Sequence, residues 1–155
     1  MTFLDSMPVE GRHVEWFTPT SVKKDLIEEF GVFDLDPATA LSNPMEATRF
    51  FTKDDDGLKQ DWIGQNIYLN PPYGRIISKF IDKAICEWTL GNCKRIVMLL
   101  PSRTDTKWFH KLYEHPDVEI RFFKGRLRFN DANPAPMPSM LAILDNKQLI
   151  WENEV

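Results

Sequence analysis

The tetrapeptide Asn70-Pro71-Pro72-Tyr73, followed by Gly74, constrains this chain more than any other stretch. It follows a short apolar run, Asn66-Ile67-Tyr68-Leu69, and precedes helical periodicity that starts near Ile76. Two consecutive prolines cannot donate backbone hydrogen bonds, so a strand that reaches them must stop pairing there. A polar Asn and an aromatic Tyr are thereby held beside a rigid turn at a strand's carboxyl end. In an open α/β sheet that edge is where ligands bind.

The surrounding pattern alternates strands with helices. Val22, Leu26, Ile27 and Phe30 recur at helical spacing, with Thr20 or Ser21 as N-cap and Gly31 as the stop, and predict a helix over 20–30. Val32-Phe33-Asp34-Leu35 reads as a short strand ending in Asp36-Pro37-Ala38, and Arg49-Phe50-Phe51-Thr52 as another. Asp54-Asp55-Asp56-Gly57 lacks the alternating ligands and closing Glu of a calcium loop, so it reads as a solvated turn. A helix over 76–90 leads to Arg95-Ile96-Val97-Met98-Leu99-Leu100, an unbroken apolar run suited to a central strand covered on both faces. Thr104 or Asp105 would cap a helix running to about His115. Strands are expected over 118–123, 139–144 and 148–151, with Gly125 to Phe129 continuing or turning the first of these. The expectation is one α/β domain over 1–155, with a mostly parallel central sheet, helices on both faces and an antiparallel edge strand.

Bulk properties narrow the function. No apolar run approaches the roughly 20 residues that cross a bilayer, the first twelve residues lack the pattern of a secretory signal, and two cysteines form neither a disulfide framework nor a complete zinc site. A reducing cytoplasm is the expected home, with no metal cofactor and no membrane partner. The net charge of −4 is unevenly spread. Residues 1–61 carry 6 basic and 13 acidic side chains, whereas residues 94–128 carry 9 basic and 4 acidic. An acidic protein can therefore present one positive face.

The Asn70 side-chain oxygen and the Pro71 carbonyl are two acceptors fixed by the ring geometry. Accepting both hydrogens of an exocyclic base amine would free its lone pair for attack. Tyr73 offers a flat face for stacking, worth about 1–3 kcal/mol. A target base in a duplex would first leave the stack. Such a site needs no acid–base triad if the electrophile is already activated, and a sulfonium methyl group is one. For a cofactor carrying that methyl, Asp36 at the end of the first strand can hold an ammonium, and Pro37-Ala38 permits close approach. Trp16, Phe17 or Phe51 offers aromatic surface to an adenine ring or sulfonium, and Asp61 can accept from an adenine.

Taken together, Trp16-Phe17-Thr18-Pro19, Leu35-Asp36-Pro37-Ala38, Asp56-Gly57-Leu58 with Asp61-Trp62, Asn70-Pro71-Pro72-Tyr73-Gly74, Leu100 to Thr106 with Trp108-Phe109, and Gly125-Arg126-Leu127-Arg128-Phe129 resemble the small phage-type DNA adenine (N-6) methyltransferases. The likeness covers about residues 14–145. It implies the compact, Rossmann-like S-adenosylmethionine-dependent methyltransferase fold, S-adenosylmethionine as cofactor, DNA as substrate, and the host bacterial cytoplasm if the chain is phage- or prophage-encoded. By that resemblance Thr18, Pro19, Asp36, Pro37 and Ala38 fall in the cofactor site, and Asn70, Pro71, Pro72 and Tyr73 form the catalytic turn.

The chain departs from the wider pattern in its donor half. Thr39 to Pro44 stands where many relatives have glycines, and Glu46 is a weak candidate for the ribose acid. Without a separate target-recognition domain, sequence choice falls to loops 101–107 and 129–138, and Arg103, Lys107, Arg126 and Arg128 are the candidates for phosphate or base contacts. A symmetric dimer would add contact surface. The rival readings are methylation of cytosine N-4, RNA adenine or a protein glutamine, or a cofactor- and DNA-binding module that has lost catalysis.

Overall fold

The computed structural model describes residues 17–129 and 134–146. The expected strand over 148–151 lies outside the described residues, as does Trp16. The chain order is α1 (Thr20–Phe30), β1 (Leu35–Asp36), β2 (Arg49–Phe50), β3 (Gly64–Leu69), α2 (Ile77–Thr89), β4 (Cys93–Pro101), α3 (Lys107–Tyr113), β5 (Val118–Phe122) and β6 (Ser139–Asp145). A short 3₁₀ turn at Gly57–Lys59 precedes β3.

These strands form one six-stranded sheet in the order β2-β1-β3-β4-β6-β5. β1, β2, β3 and β4 are mutually parallel. β6 runs against both β4 and β5, in register Leu99↔Leu141 and Ile120↔Ala142. The antiparallel pairing expected at one edge is therefore present, with β5 as the edge and β6 one place inside it.

Alternation along the strands builds two cores. Ile67, Leu69, Ile96, Met98, Leu100, Met140 and Ala142 pack with Phe80, Ile81 and Ala84 of α2 and with Trp108, Phe109 and Leu112 of α3. Tyr68, Val97, Leu99, Leu141 and Ile143 point the other way, onto Val22 and Leu26 of α1. Because β4 is covered on both faces, its run needs no polar alternation. Each buried Leu or Ile contributes on the order of 1.5–3 kcal/mol by leaving water.

Several local expectations shift. Pro19, not Thr20 or Ser21, occupies the N-cap position of α1, and no side chain caps that end. Thr106 caps α3 in place of Thr104 or Asp105, its hydroxyl accepting from the Phe109 amide at 3.2 Å, and α3 ends at Tyr113. The regular part of β1 starts later than expected, although Asp34 already bonds through its amide to the Asn66 carbonyl and through its carbonyl to the Arg49 amide, while its carboxylate accepts from the Gln65 and Asn66 amides at 2.6 and 2.7 Å. The crossover from β1 to β2 contains no helix; Asn43, at φ 46°, braces that loop by bonding both the amide and the carbonyl of Ala47. Residues 125–128 turn the chain instead of extending β5, and Arg128 bridges to Pro134. Among the described residues, no helix is long and apolar enough to cross a membrane.

Candidate active site

From β1 the chain moves outward to β2, returns to β3 beside β1, and then proceeds to β4 on the other side. Strand order thus reverses between β1 and β3, and ligand crevices form at the carboxyl ends flanking such a switch point. Those ends carry Asp36-Pro37-Ala38 and Asn70-Pro71-Pro72. The crevice between them is a cavity of about 590 Å³, within the range of small-molecule sites. Phe17, Thr18, Asp36, Pro37, Ala38, Asn70, Pro71 and Pro72 all line it.

Asp36 is 2% exposed, and its carboxylate accepts from the Ala38 amide at 3.2 Å. Burial raises its pKa to about 7, with the hydrogen bonds from Ala38 and Thr39 pulling the other way. Among the described residues this carboxyl has no positive partner, and an ammonium group would meet that need. Beside it the Tyr68 and Thr18 hydroxyls share a short hydrogen bond. Burial drives the Tyr68 phenol well above its usual range, which the Thr18 bond opposes and the Asp36 carboxyl reinforces. Tyr68 thus stays neutral and gives the cavity a polar floor. As one residue of an apolar strand it reads as core; its place on the strand leading into the Asn70-Pro71-Pro72-Tyr73 turn is the only sequence signal for this position.

The opposite wall also corrects the sequence reading. Thr52, Lys53, Asp56, Gly57 and Leu58 line the cavity, so the acidic turn is solvated only in part. Asp55 braces it by accepting from the Thr52 amide and hydroxyl at 2.7 and 3.0 Å. Gly57 is required by close approach: a Cβ there would lie 2.0 Å from the Pro37 carbonyl oxygen. Trp62 anchors this wall from beneath, fully buried, with its indole N–H donating to the Gly57 carbonyl at 2.8 Å and its amide to Glu87 at 3.2 Å.

Other expected cofactor residues fall elsewhere. Asp61 is exposed and does not line the cavity, because neighbouring Trp62 takes the inward position. Pro19 is buried at the start of α1, and Phe51 packs against the α2-side core. Glu46 points outward and pairs with Lys23 at 3.2 Å.

A second cavity, of about 420 Å³, opens directly beyond the turn and is lined by Tyr73, Gly74, Arg75, Pro101, Arg103, Trp108 and Met137, among others. Tyr73 is edge-on to buried Phe129, with ring centroids 6.2 Å apart. Burial raises its phenol to about 12, so Tyr73 is neutral at physiological pH. The four residues of the turn therefore divide: Asn70, Pro71 and Pro72 face the first cavity and Tyr73 faces the second.

The candidate nucleic-acid residues divide too. Arg103 lines the second cavity and pairs with Asp105 at 3.3 Å. Lys107 is exposed at the start of α3. Arg126 is partly committed to structure, donating to the Ala135 and Pro136 carbonyls at 3.3 and 2.6 Å, and Arg128 is exposed. Among the described residues, no group of three or more His, Cys, Asp or Glu side chains is placed to hold a metal ion.

The model of one family, DNA N-6-adenine-methyltransferase (Dam), matches residues 6–143. The chain belongs to that family. It is 29% identical over 139 residues to the DNA N-6-adenine-methyltransferase of Haemophilus phage HP1 (strain HP1c1), covering 85% of this chain and 79% of the phage protein. Among solved structures it resembles the 23S rRNA methyltransferase ErmE, at TM-score 0.57 and 12% identity over 86% of this chain and 70% of that one. It also resembles a human methyltransferase 10 domain containing protein, at TM-score 0.51 and 11% identity over 90% of this chain and 87% of that one. These two likenesses establish a methyltransferase fold for this Dam-family chain. Family membership supplies the reaction, methylation of adenine N-6 in DNA.

Proposed function

We propose that this chain is a single-domain, S-adenosylmethionine-dependent DNA adenine methyltransferase, with the donor in the first cavity and the target adenine in the second. The observation that carries this reading is the division of one turn between two adjoining cavities. A methyl transfer needs donor and acceptor on either side of the groups that prepare the acceptor.

The lining of the first cavity suits the cofactor. Asp36 would take the methionyl ammonium, with Thr18 and Tyr68 providing hydroxyls nearby. Phe17, Pro44, Met45 and Leu58 supply apolar surface for the rest. When bound, S-adenosylmethionine supplies a methyl group already activated by its sulfonium. The chain is left with orientation, and Asn70 and the Pro71 carbonyl would accept the two hydrogens of the adenine amine. Tyr73, held by Phe129 and neutral, would stack on the base. Trp108, Pro101 and Met137 would close the remaining walls against water. Sequence choice then falls to the loops around Arg103 and after Phe129, with the bacterial cytoplasm as the working compartment.

Incubation with methyl-labelled S-adenosylmethionine and DNA, followed by nucleoside analysis, tests the reading. Label in N-6-methyladenine is expected. Label in methylcytosine, in RNA or in protein would replace the substrate, and no transfer at all would reject the reading.

A further inference from the structure

The positively charged stretch of the sequence looks, residue by residue, like a broad phosphate-binding face, but several of its cations already bond to side chains or carbonyls of other elements. Arg95 donates to the Phe30 carbonyl and the Asn66 side chain. Arg121 pairs with Glu29 at 2.7 Å and with Glu119 at 3.2 Å. Lys111 pairs with Asp82 at 2.7 Å, and Arg126 tethers the loop at Ala135 and Pro136.

The mouth of the second cavity differs. It carries two guanidinium groups from separate elements, Arg75 after the catalytic turn and Arg103 after β4. Arg75 is exposed, and among the described residues its guanidinium has neither an ion pair nor a hydrogen bond. It follows Gly74, at φ 110°, where an added Cβ would meet nothing within 4 Å. Among the described residues the Arg103 guanidinium is held by Asp105 alone, two residues along and 73% exposed at the side chain. Exposed pairs of this kind are weak and exchange readily for a stronger anion. A phosphate offers such an anion, because guanidinium groups bind it through two parallel hydrogen bonds.

We propose that Arg75 and Arg103 together hold the backbone phosphate of the nucleotide whose base enters the second cavity, with Asp105 occupying Arg103 until nucleic acid displaces it. A base held among Tyr73, Trp108 and Pro101 leaves its phosphate at the rim, where these two side chains stand. The inference rests on the second cavity receiving the target base, as proposed above. It adds Arg75, which lies outside the basic stretch of the sequence, and an acidic competitor that lowers DNA affinity.

The test measures duplex DNA binding by fluorescence anisotropy across a salt series, with cofactor affinity and melting temperature as controls for folding. Loss of one phosphate contact lowers the slope of log affinity against log salt by about 1. Arg75→Ala and Arg103→Ala should each lose about that much, and the double variant about twice as much. Asp105→Asn should tighten binding about two- to fivefold, as expected for removing a weak competing pair. A wild-type slope in Arg75→Ala, or weaker binding in Asp105→Asn, overturns the inference. Nucleoside analysis of the wild type separates the two levels. Adenine methylation with an unaltered Arg75→Ala slope rejects the clamp alone, whereas no adenine methylation rejects the underlying reading as well.

Discussion

At the amino-terminal ends of β3 and β4 polar side chains close on one another, while at the carboxyl ends they line cavities. Asn66 sits at the first end, 7% exposed, donating to the Phe30 and Val32 carbonyls and accepting from Arg95 at 3.0 Å. Arg95 lies over the Phe30 ring at 5.0 Å and reaches Asp145 at 3.7 Å, and Asp34 is consumed by two β3 amides. At the other end Asp36 is more deeply buried than Asn66, yet it has no cationic partner among the described residues. Equal polarity thus has opposite meanings. A polar cluster that satisfies itself holds the sheet together, whereas one that ends at a cavity wall has kept its capacity for a ligand.

Substitutions can break this contrast at either end. The largest effect is expected at Asn70, where Asn70→Ala should cut the methyl-transfer rate at least about a thousandfold, as for loss of a group acting in the transition state. Rapid-quench transfer assays would register it, and a rate within tenfold of wild type would remove Asn70 from the chemistry. Arg95→Ala should do the reverse. It leaves the Asn66 oxygen without its Arg95 donor and the Phe30 carbonyl with the Asn66 amide alone, for an expected loss of about 1–3 kcal/mol in denaturant unfolding. The activity of each folded molecule should be unchanged. Lost activity in a stably folded Arg95→Ala protein would erase the distinction between the two ends.

The Asp36 carboxyl provides a graded test. Because burial raises its pKa to about 7, the cofactor-free protein carries it increasingly protonated below that value. An ammonium ligand must expel the proton, so cofactor affinity should fall about tenfold per pH unit below pH 7. Stability of the cofactor-free protein should move the other way. The folded state holds this proton more tightly than the unfolded chain, whose value is near 3.8, so stability declines as pH rises through the interval between 3.8 and about 7. Asp36→Ala should flatten both profiles, and calorimetric titrations at several pH values would reveal it. The smallest effect concerns neither end directly. Thr106→Ala removes the cap of α3 beside the second cavity and should cost about 1 kcal/mol of stability, read from thermal unfolding, with cofactor affinity unaffected.

Much of this contrast was legible in the residues themselves, for physical reasons. Proline cannot continue a ladder, so Asn70-Pro71-Pro72 had to end a strand. The run from Ile96 to Leu100 had to be buried on both faces. The first cavity was legible along one wall, at Phe17, Thr18 and Asp36 to Ala38. Its other wall comes from Gly57 and Leu58, brought in by the burial of Trp62, and a local pattern carries no information about such packing. Asp61 shows the same limit, because an acidic residue beside a tryptophan can face either way until the tryptophan chooses its pocket. The basic stretch misled in a related manner. Which cations are already committed to Glu29, Asp82 or backbone carbonyls depends on contacts between elements far apart in the chain. Arg75, outside that stretch, acquired its interest only from its position at a cavity mouth.

The division of labour proposed for the Asn70–Tyr73 turn is tested most directly by calorimetric titration of S-adenosylmethionine into the Asn70→Ala protein. If the turn prepares the acceptor while Asp36 and its neighbours hold the donor, the cofactor should bind within about threefold of the wild-type affinity, a difference under 1 kcal/mol, although methyl transfer is lost. Cofactor binding that disappears together with activity would contradict the account.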